Sequence, residues 1–362
     1  MRVAVRRLCD ETKRVIEYLR NNSDYTVDCI IERRIDLCGQ SWHEIPIVTT
    51  YEARKRYKRG DIEKVVLPAV TEQEKRIDYY GIEALALGFK EADILYDTCN
   101  FYMGGHTEKP FVRRESLRYL DYLEFHTNDH CNLNCNYCNN FSNYVKGEVF
   151  KDYEQVKKDL VRLREIVDHI RRIRILGGEP LLNPELPRFI RLVRELYPYS
   201  ELVIVTNGIL LQSKMKDELE EAVKECEAYI DITAYPVMFD KIDLLIDFLR
   251  DKGIKVKQTW EANFFRKPIM DEFGYPLSRV DCMCIHLRDG KIARCPIVQY
   301  LDYYNEANGT NFDGSDGVID LYEEGLTFKE LNERLHKPFT LCNRCGFWRD
   351  DLIGEPWSRG DQ

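Results

Sequence analysis

A regular alternation of β-branched runs and helical patterns between residues 120 and 260 constrains the fold of this chain most strongly. Five runs predict strands: YLEFHT (122–127), RRIRIL (171–176), ELVIVT (201–206), AYIDIT (228–233) and IKVKQT (254–259). The gaps between them predict amphipathic helices, with apolar stripes in the first gap at Tyr153, Val156, Leu160, Leu163, Val167 and Ile170 and in the last at Phe239, Ile242, Leu245 and Leu249. Strands connected by helices pair in parallel, so we expect an α/β fold with a complete or partial β/α barrel. Its chemistry should lie at the C-terminal ends of the strands, and Asp231 and Thr233 are candidates for its interior.

The composition narrows the class of protein. The length of 362 residues suits roughly two domains, and no apolar run approaches the ~20 residues that span a bilayer. The net charge of -9 without a basic stripe predicts no nucleic-acid partner. The chain has 13 cysteines, an odd number. Its first residues lack the pattern of a secretory signal. We therefore expect a cytoplasmic protein with no membrane partner, whose cysteines serve metal or redox chemistry rather than disulfides.

Residues 1–112 predict a separate α/β module. The runs 26–32, 64–69 and 92–97 alternate with helical patterns. This arrangement resembles a small Rossmann-like module of the kind attached to sugar-modifying enzymes. The first strand-to-helix turn, residues 5–10, contains no glycine, which a bound dinucleotide requires for close backbone approach. We expect no NAD here, and a docking or substrate-positioning role instead.

The remaining chain divides into the predicted barrel, residues 118–262, and a C-terminal region, residues 263–362, that loses the alternation. The C-terminal region contains a hairpin pattern, CIHLRDGKIARCP (284–296). Its Asp289-Gly290 pair is typical of a two-residue β-turn.

Three cysteines follow the first predicted strand, where a barrel places its chemistry: Cys131, Cys135 and Cys138. One interpretation is a zinc site, whose fourth ligand would be His126, His130 or Asn139. The other is a [4Fe–4S] cluster with three irons on thiolates and the fourth iron left open. An open iron can chelate the amino and carboxylate groups of S-adenosylmethionine.

The sequence CNLNCNYC closely resembles the loop CxxxCxφC of the radical S-adenosylmethionine (radical SAM) superfamily, with Tyr137 in the aromatic position. Two further matches follow the next strands in the right order. Gly177, Gly178 and Glu179 begin a GGEP motif after the second run. Thr206 and Asn207, at the end of the third run, resemble the polar strand-end residues that contact the ribose.

This resemblance implies a partial (β/α)6-type radical SAM barrel that binds S-adenosylmethionine on a [4Fe–4S] cluster. An external electron donor such as flavodoxin or ferredoxin would reduce the cluster, and cleavage would give a 5′-deoxyadenosyl radical that abstracts hydrogen. The glycines would let the backbone approach the methionyl group, and Glu179 would accept from its ammonium.

A second group of cysteines lies near the C-terminus: Cys284, Cys295 within a Gx4C element, Cys342 and Cys345. It is compatible with a structural zinc ribbon. It also resembles the auxiliary cluster of the twitch and SPASM subfamilies, which implies a second, fully ligated [4Fe–4S] cluster that relays electrons. Cys282 is either a spare thiol, a replacement for Cys284 as ligand, or a hydrogen-atom donor to a substrate radical.

The overall set of motifs resembles radical SAM dehydrogenases of 2-deoxy-scyllo-inosamine and aminosugar epimerases. This implies a small carbohydrate-type substrate, meaning a sugar, nucleotide-sugar or cyclitol, that is oxidised or epimerised. The alternatives are a peptide-maturing radical SAM/SPASM enzyme and a non-catalytic zinc or Fe–S binding module. Neighbouring genes for a short Cys-rich peptide or for glycosyltransferases would separate the first alternative from the carbohydrate hypothesis.

Overall fold

The computed structural model describes residues 1–21, 24–67, 79–97, 111–113, 118–198, 200–269, 284–346 and 354–360. The chain forms two compact units, Met1–Asp121 and Tyr122–Gln362. The first contains the predicted module 1–112. In the described part of the chain, no helix combines the length and apolar character needed to cross a bilayer.

The first unit is built on a seven-stranded sheet in the order β3-β4-β2-β1-β5-β6-β7. Its strands are β1 (Arg2–Arg6), β2 (Thr26–Ile31), β3 (Ser41–Trp42), β4 (Ile45–Val48), β5 (Lys64–Leu67), β6 (Ile94–Asp97) and β7 (Phe111–Arg113). Its helices are α1 (Asp10–Asn21), α2 (Thr50–Arg59) and α3 (Tyr79–Ala86). Five neighbouring strands of this sheet pair in parallel, namely β4, β2, β1, β5 and β6, which confirms the predicted Rossmann-like alternation.

The central strand β1 is buried on both faces, as expected when helices cover both sides of a parallel sheet. Val3 and Val5 pack on one side in a cluster that includes Leu19 of α1. Ala4 packs on the other side in a cluster that includes Ala53 of α2. The alternation of Cβ directions along a strand therefore divides the core into two layers.

The turn between β1 and α1 is closed by side chains of the same unit. Arg7 adopts a left-handed backbone with φ of 67°, and the Thr12 hydroxyl donates to its carbonyl at 2.6 Å. The Glu32 carboxylate accepts from the backbone N–H of Leu8 at 3.0 Å. Burial alone would raise the pKa of Glu32, but the N–H donors and the Arg34 guanidinium lower it to about 2. This turn is thus organised around an internal carboxylate.

The second unit is built on an eight-stranded sheet in the order β12-β11-β10-β9-β8-β14-β15-β16. The strands of this sheet are β8 (Tyr119–His126), β9 (His169–Leu176), β10 (Glu201–Thr206), β11 (Tyr229–Ala234), β12 (Val256–Glu261), β14 (His286–Arg288), β15 (Lys291–Ala293) and β16 (Val318–Asp320). A separate two-stranded sheet contains β13 (Phe264–Phe265) and β17 (Glu355–Pro356). The helices are α4 (Tyr153–Ile166), α5 (Leu186–Leu196), α6 (Leu211–Lys214), α7 (Asp217–Glu225), α8 (Ile242–Asp251), α9 (Pro296–Gln299), α10 (Leu301–Asn308) and α11 (Phe328–Leu335).

The five predicted strands are β8 to β12, adjacent in chain order, with the register from β9 to β12 parallel. This is the predicted partial barrel. Two details of the predicted stripes were wrong. Helix α4 ends at Ile166, so Ile170 belongs to β9, and Phe239 lies in a 3-10 helix, Pro236–Lys241, with 42% of its surface exposed.

The predicted hairpin is confirmed as β14 and β15. Its turn residues Asp289 and Gly290 have φ of 49° and 75°, which a two-residue turn of type I′ requires. Strand β14 also pairs in parallel with β8, through His286 opposite Glu124. The barrel sheet therefore continues into the C-terminal region, and the division at residues 262 and 263 stays a prediction.

Candidate active site

The loop that follows β8, residues 128–138, carries the first three cysteines; we call it the cluster loop. The Cys131 thiol accepts from the N–H of Leu133. The Cys138 thiol accepts from backbone N–H groups further along the chain, those of Asn140, Phe141 and Ser142. N–H groups that face sulfur are suited to thiolates, because each donor stabilises the negative charge.

The cluster loop is held in an unusual backbone conformation. Asn134 and Tyr137 have φ of 52° and 58°, and Phe141 just beyond the loop has φ of 54°. Left-handed backbone is uncommon for residues with a side chain, and it persists where the surroundings fix it, often at functional sites. The tight spacing of the three cysteines thus requires turns that the sequence pattern does not announce.

The two glycines of the GGEP motif permit contact between this motif and the cluster loop. A Cβ on Gly177 would lie 2.5 Å from the carbonyl oxygen of Asn128, and one on Gly178 would lie 2.1 Å from that of His130. The N–H of Gly178 donates to Asn128 at 2.8 Å, and that of Glu179 donates to His130 at 3.1 Å. Glycine is therefore required at both positions because the two backbones pack closely together, which the sequence alone did not reveal.

Glu179, Thr206 and Asn207 meet at the C-terminal ends of β9 and β10. The Glu179 carboxylate accepts from the Thr206 hydroxyl at 2.7 Å, the Asn207 N–H at 2.9 Å and the Leu181 N–H at 3.1 Å. Burial nevertheless raises the pKa of Glu179 to about 7. Such a carboxylate favours a cationic neighbour, which would keep it ionised.

Asn207 connects this acidic site to the cluster loop. Its amide donates to the Asn132 side chain at 2.8 Å and approaches the Cys131 sulfur at 3.8 Å. Asn128 makes a second connection, since its amide donates to the carbonyl of Glu179 at 3.1 Å. Sequence reasoning missed Asn128 and Asn132 because an asparagine in a loop carries no distinguishing pattern.

Burial disfavours the thiolate form of the three cysteines in the cluster loop. Loss of water around them raises the pKa of Cys131 and Cys138, and raises that of Cys135 to about 12. Bound iron would supply the positive charge that makes them thiolates. Among the described residues, no three Cys, His, Asp or Glu side chains gather closely enough to hold a single metal ion. A [4Fe–4S] cube distributes its ligands over separate irons.

The candidates for a fourth zinc ligand have other neighbours. The side chains of His126 and Asp129 are buried and contact each other, since His126 Nδ1 lies 3.0 Å from Asp129 Oδ1. The His130 Nδ1 atom lies 2.9 Å from the N–H of Val149 and accepts from it. Asn139 is exposed.

A C-terminal segment, residues 354–360, contacts the cluster loop. The Tyr137 hydroxyl donates to Glu355 at 3.3 Å. The Trp357 indole N–H donates to the Cys135 sulfur at 3.1 Å. Sequence analysis did not find this contact, because the two residues are 222 positions apart.

Charged and hydroxyl side chains lie on the inner face of the barrel strands. The Tyr122 hydroxyl donates to Glu124 and accepts from Arg174 at 3.0 Å, and Arg174 lies 3.6 Å from Asp231. Glu124 is also 3.2 Å from the buried His286 ring. Although burial favours protonation of Glu124, His286 and Arg174 lower its pKa.

The second cysteine group is partly assembled. One pocket is lined by Pro268, Ile269, Cys295, Ile297, Phe339, Leu341, Cys342 and Cys345. Cys342 is buried in a 3-10 helix, and Cys345 forms an isolated β-bridge with Ile269. Cys284 is exposed and is not among these described lining residues. Cys282 lies outside the described residues.

Comparison with known proteins agrees with this geometry. Residues 126–262, the span from the end of β8 past β12, match the family model described as the Radical SAM superfamily. Residues 126–262 thus resemble a radical SAM domain. The superfamily that this span resembles implies a [4Fe–4S] cluster and S-adenosylmethionine as its cofactors.

Several similar curated proteins are named GTP 3′,8-cyclase. The one from Sulfurimonas denitrificans (strain ATCC 33889 / DSM 1251) is 31% identical over 176 residues, which are 45% of this chain and 54% of that protein. The one from Aliarcobacter butzleri (strain RM4018) is 38% identical over 108 residues, 29% of this chain and 32% of that protein. The chain thus spans about half or less of the length of these relatives. A solved structure of BtrN in complex with AdoMet and 2-DOIA has a TM-score of 0.38 at 19% identity, over 60% of this chain and 82% of that chain.

Proposed function

We propose that this protein is a radical SAM enzyme that abstracts hydrogen from a carbohydrate-type substrate and so oxidises or epimerises it. The observation that carries the first part is the convergence of the cluster loop with Glu179, Thr206 and Asn207. Asn207 contacts both Glu179 and the neighbourhood of Cys131, within 2.9 Å and 3.8 Å respectively. One site can therefore hold a cluster and the methionyl end of S-adenosylmethionine together.

The residues of this chain divide the work of binding. Cys131, Cys135 and Cys138 would hold three irons of the cluster, and Glu179 would accept hydrogen bonds from the amino group of S-adenosylmethionine. Thr206 and Asn207 orient that carboxylate through the bonds already described. When bound, the cluster and S-adenosylmethionine supply an electron and a 5′-deoxyadenosyl radical for hydrogen abstraction. The electron would come from an external reductant.

The polar interior of the barrel supports a hydroxylated substrate. Arg174 and Asp231 supply both signs of charge, and Tyr122 and Glu124 supply a hydroxyl and a carboxylate on the same face. A substrate rich in hydroxyl groups can form further hydrogen bonds with these side chains, which already pair with one another, and an apolar substrate cannot. The name of the curated relatives favours a second candidate, a purine nucleotide, and a nucleotide-sugar combines both.

The pocket of Cys295, Cys342 and Cys345 supports an auxiliary [4Fe–4S] cluster in the C-terminal region. Its walls are apolar, and Cys342 is 4% exposed. Burial shields a cluster from water and helps to set its potential. Cys295, Cys342 and Cys345 would hold this cluster, which would supply an electron acceptor for the oxidation of a carbinol to a ketone.

The decisive experiment is an anaerobic assay of 5′-deoxyadenosine formation with deuterated candidate substrates. Deuterium carried from a sugar, nucleotide-sugar or cyclitol into 5′-deoxyadenosine would support the carbohydrate class. Deuterium transfer from GTP or from a peptide would instead assign the substrate to the nucleotide or the peptide class. The triple variant Cys131/Cys135/Cys138→Ala is the control and should form no 5′-deoxyadenosine. Formation at the wild-type rate would refute the cluster assignment itself.

A further inference from the structure

The C-terminal segment, residues 354–360, is anchored beside the barrel before it reaches the cluster loop. Its strand β17 pairs antiparallel with β13, with Pro356 opposite Phe264 and Glu355 opposite Phe265. The N–H of Trp357 then donates to the carbonyl of Asn263 at 2.8 Å. Trp357 is therefore fixed by main-chain bonds and not only by its ring.

Beyond this anchor the segment runs along the cluster loop as a short antiparallel pair. The N–H of Asn136 donates to Ser358 at 2.9 Å, and the N–H of Gly360 donates to Asn134 at 2.7 Å. The Asn134 amide returns a bond of 3.0 Å to the carbonyl of Gly360. These bonds lie on either side of Cys135, so the segment holds the middle cysteine of the three in place.

Two side chains from different segments of the chain donate hydrogen bonds to the Cys135 sulfur. The indole N–H of Trp357 lies 3.1 Å away, and the Tyr235 hydroxyl, just after β11, is a second donor. The two rings are neighbours, with centroids 5.9 Å apart. Cys135 itself is 7% exposed. Its sulfur is thus covered by aromatic rings whose polar edges face it.

We propose that Trp357 is a positioning residue that sets the reduction potential of the cluster held by Cys131, Cys135 and Cys138. This inference rests on the proposed function, because it assumes the cluster. Reduction adds a negative charge that is shared with the ligand sulfurs. A hydrogen-bond donor stabilises the reduced state more than the oxidised state, so the Trp357 N–H raises the potential.

The test is an EPR-monitored redox titration of the reconstituted full-length protein. The signal to follow is the one that changes on addition of S-adenosylmethionine. Trp357→Phe removes the donor and retains an aromatic cover, so solvent access changes little. Trp42→Phe in the first unit, where the indole contacts His43, is the matched control. We expect a more negative potential for Trp357→Phe and the wild-type potential for Trp42→Phe.

A potential of Trp357→Phe equal to that of the control, with iron retained, would overturn the proposal. If Trp357→Phe loses iron, wild type labelled with ¹⁵N-tryptophan decides by pulsed EPR. A ¹⁵N coupling to the cluster that Trp42→Phe, Trp260→Phe and Trp348→Phe each preserve supports the proposal, and absence of that coupling overturns it. Failure of the proposed function is recognised separately, as iron content that is the same in wild type and in the Cys131/Cys135/Cys138→Ala variant.

Discussion

The Thr206 hydroxyl donates a hydrogen bond of 2.7 Å to the Glu179 carboxylate and thereby joins the end of β10 to the motif that follows β9. Both groups are buried, with 2% and 1% of their surfaces exposed. A buried carboxylate that hydrogen-bond donors hold in place is positioned to bind a cationic ligand group. The protonation state of Glu179 should therefore govern how S-adenosylmethionine binds.

Binding of S-adenosylmethionine should weaken as the pH falls through 7. The pKa of Glu179 in the free protein is raised by burial to about 7, and a bound amino group would lower it. Below pH 7 binding must then release the proton of Glu179, so the Kd rises by up to about tenfold per pH unit. Calorimetry on reconstituted protein between pH 6 and 8 measures this slope.

The variant Glu179→Gln isolates the contribution of the carboxyl group to that slope. The amino group of S-adenosylmethionine titrates in both proteins, so only the difference between the two pH profiles belongs to Glu179. Glu185→Gln, at a side chain that is 44% exposed, should follow wild type. Identical slopes for wild type and Glu179→Gln would contradict this role.

Gly178→Ala should prevent assembly of the cluster loop. The added Cβ would lie 2.1 Å from the carbonyl oxygen of His130, a backbone atom that cannot move without the loop. Iron and sulfide bound after anaerobic reconstitution should fall by about four per chain, the content of one cube. Gly147→Ala is the control, since Gly147 has φ of +72° and open space around it. It should cost about 1 kcal/mol and leave iron unchanged; full iron in Gly178→Ala would rule out the clash.

The sequence was sufficient for the barrel and for the placement of three motifs on it. Strand periodicity located β8 to β12, and parallel pairing brings their C-terminal ends together. Cys131 and Glu179 follow β8 and β9, and Thr206 ends β10, so their proximity was predictable. Confirmation of the fold does not identify the substrate, because the interior side chains serve many ligands.

Contacts between distant segments could not be predicted in the same way. The Trp357 to Cys135 bond depends on the path of a segment that has no periodicity, and one pairing of β17 with β13 fixes it. Gly178 was recognised as a motif residue, yet its packing against His130 depends on the left-handed turns of the loop. Such features arise from tertiary structure, which local patterns do not encode.

Asp159→Ala should destabilise the second unit. This buried carboxylate of α4 accepts from the N–H of Gly290 and from the Tyr322 hydroxyl, both at 2.7 Å. Its removal leaves a buried N–H without that partner, at a cost of about 2 to 3 kcal/mol. Urea denaturation followed by circular dichroism measures the loss. Asp247→Ala, whose carboxylate forms an exposed pair with Arg250, should change stability by less than about 1 kcal/mol; equal effects would contradict a structural role for Asp159.

Cys342→Ala should remove an auxiliary cluster and leave the radical SAM cluster in place. Cys342 lines one apolar pocket with Cys295 and Cys345, so its loss opens the thiolate set while the cluster loop is untouched. Iron should fall from about eight to about four per chain, and 5′-deoxyadenosine should still form without substrate turnover. Cys226→Ala, a buried cysteine at the end of α7, is the control and should keep its iron.

Because a structural zinc ribbon would also use Cys342, zinc is measured in the same samples. Zinc in wild type that Cys342→Ala lacks would make the site structural and would leave the substrate radical without its electron acceptor.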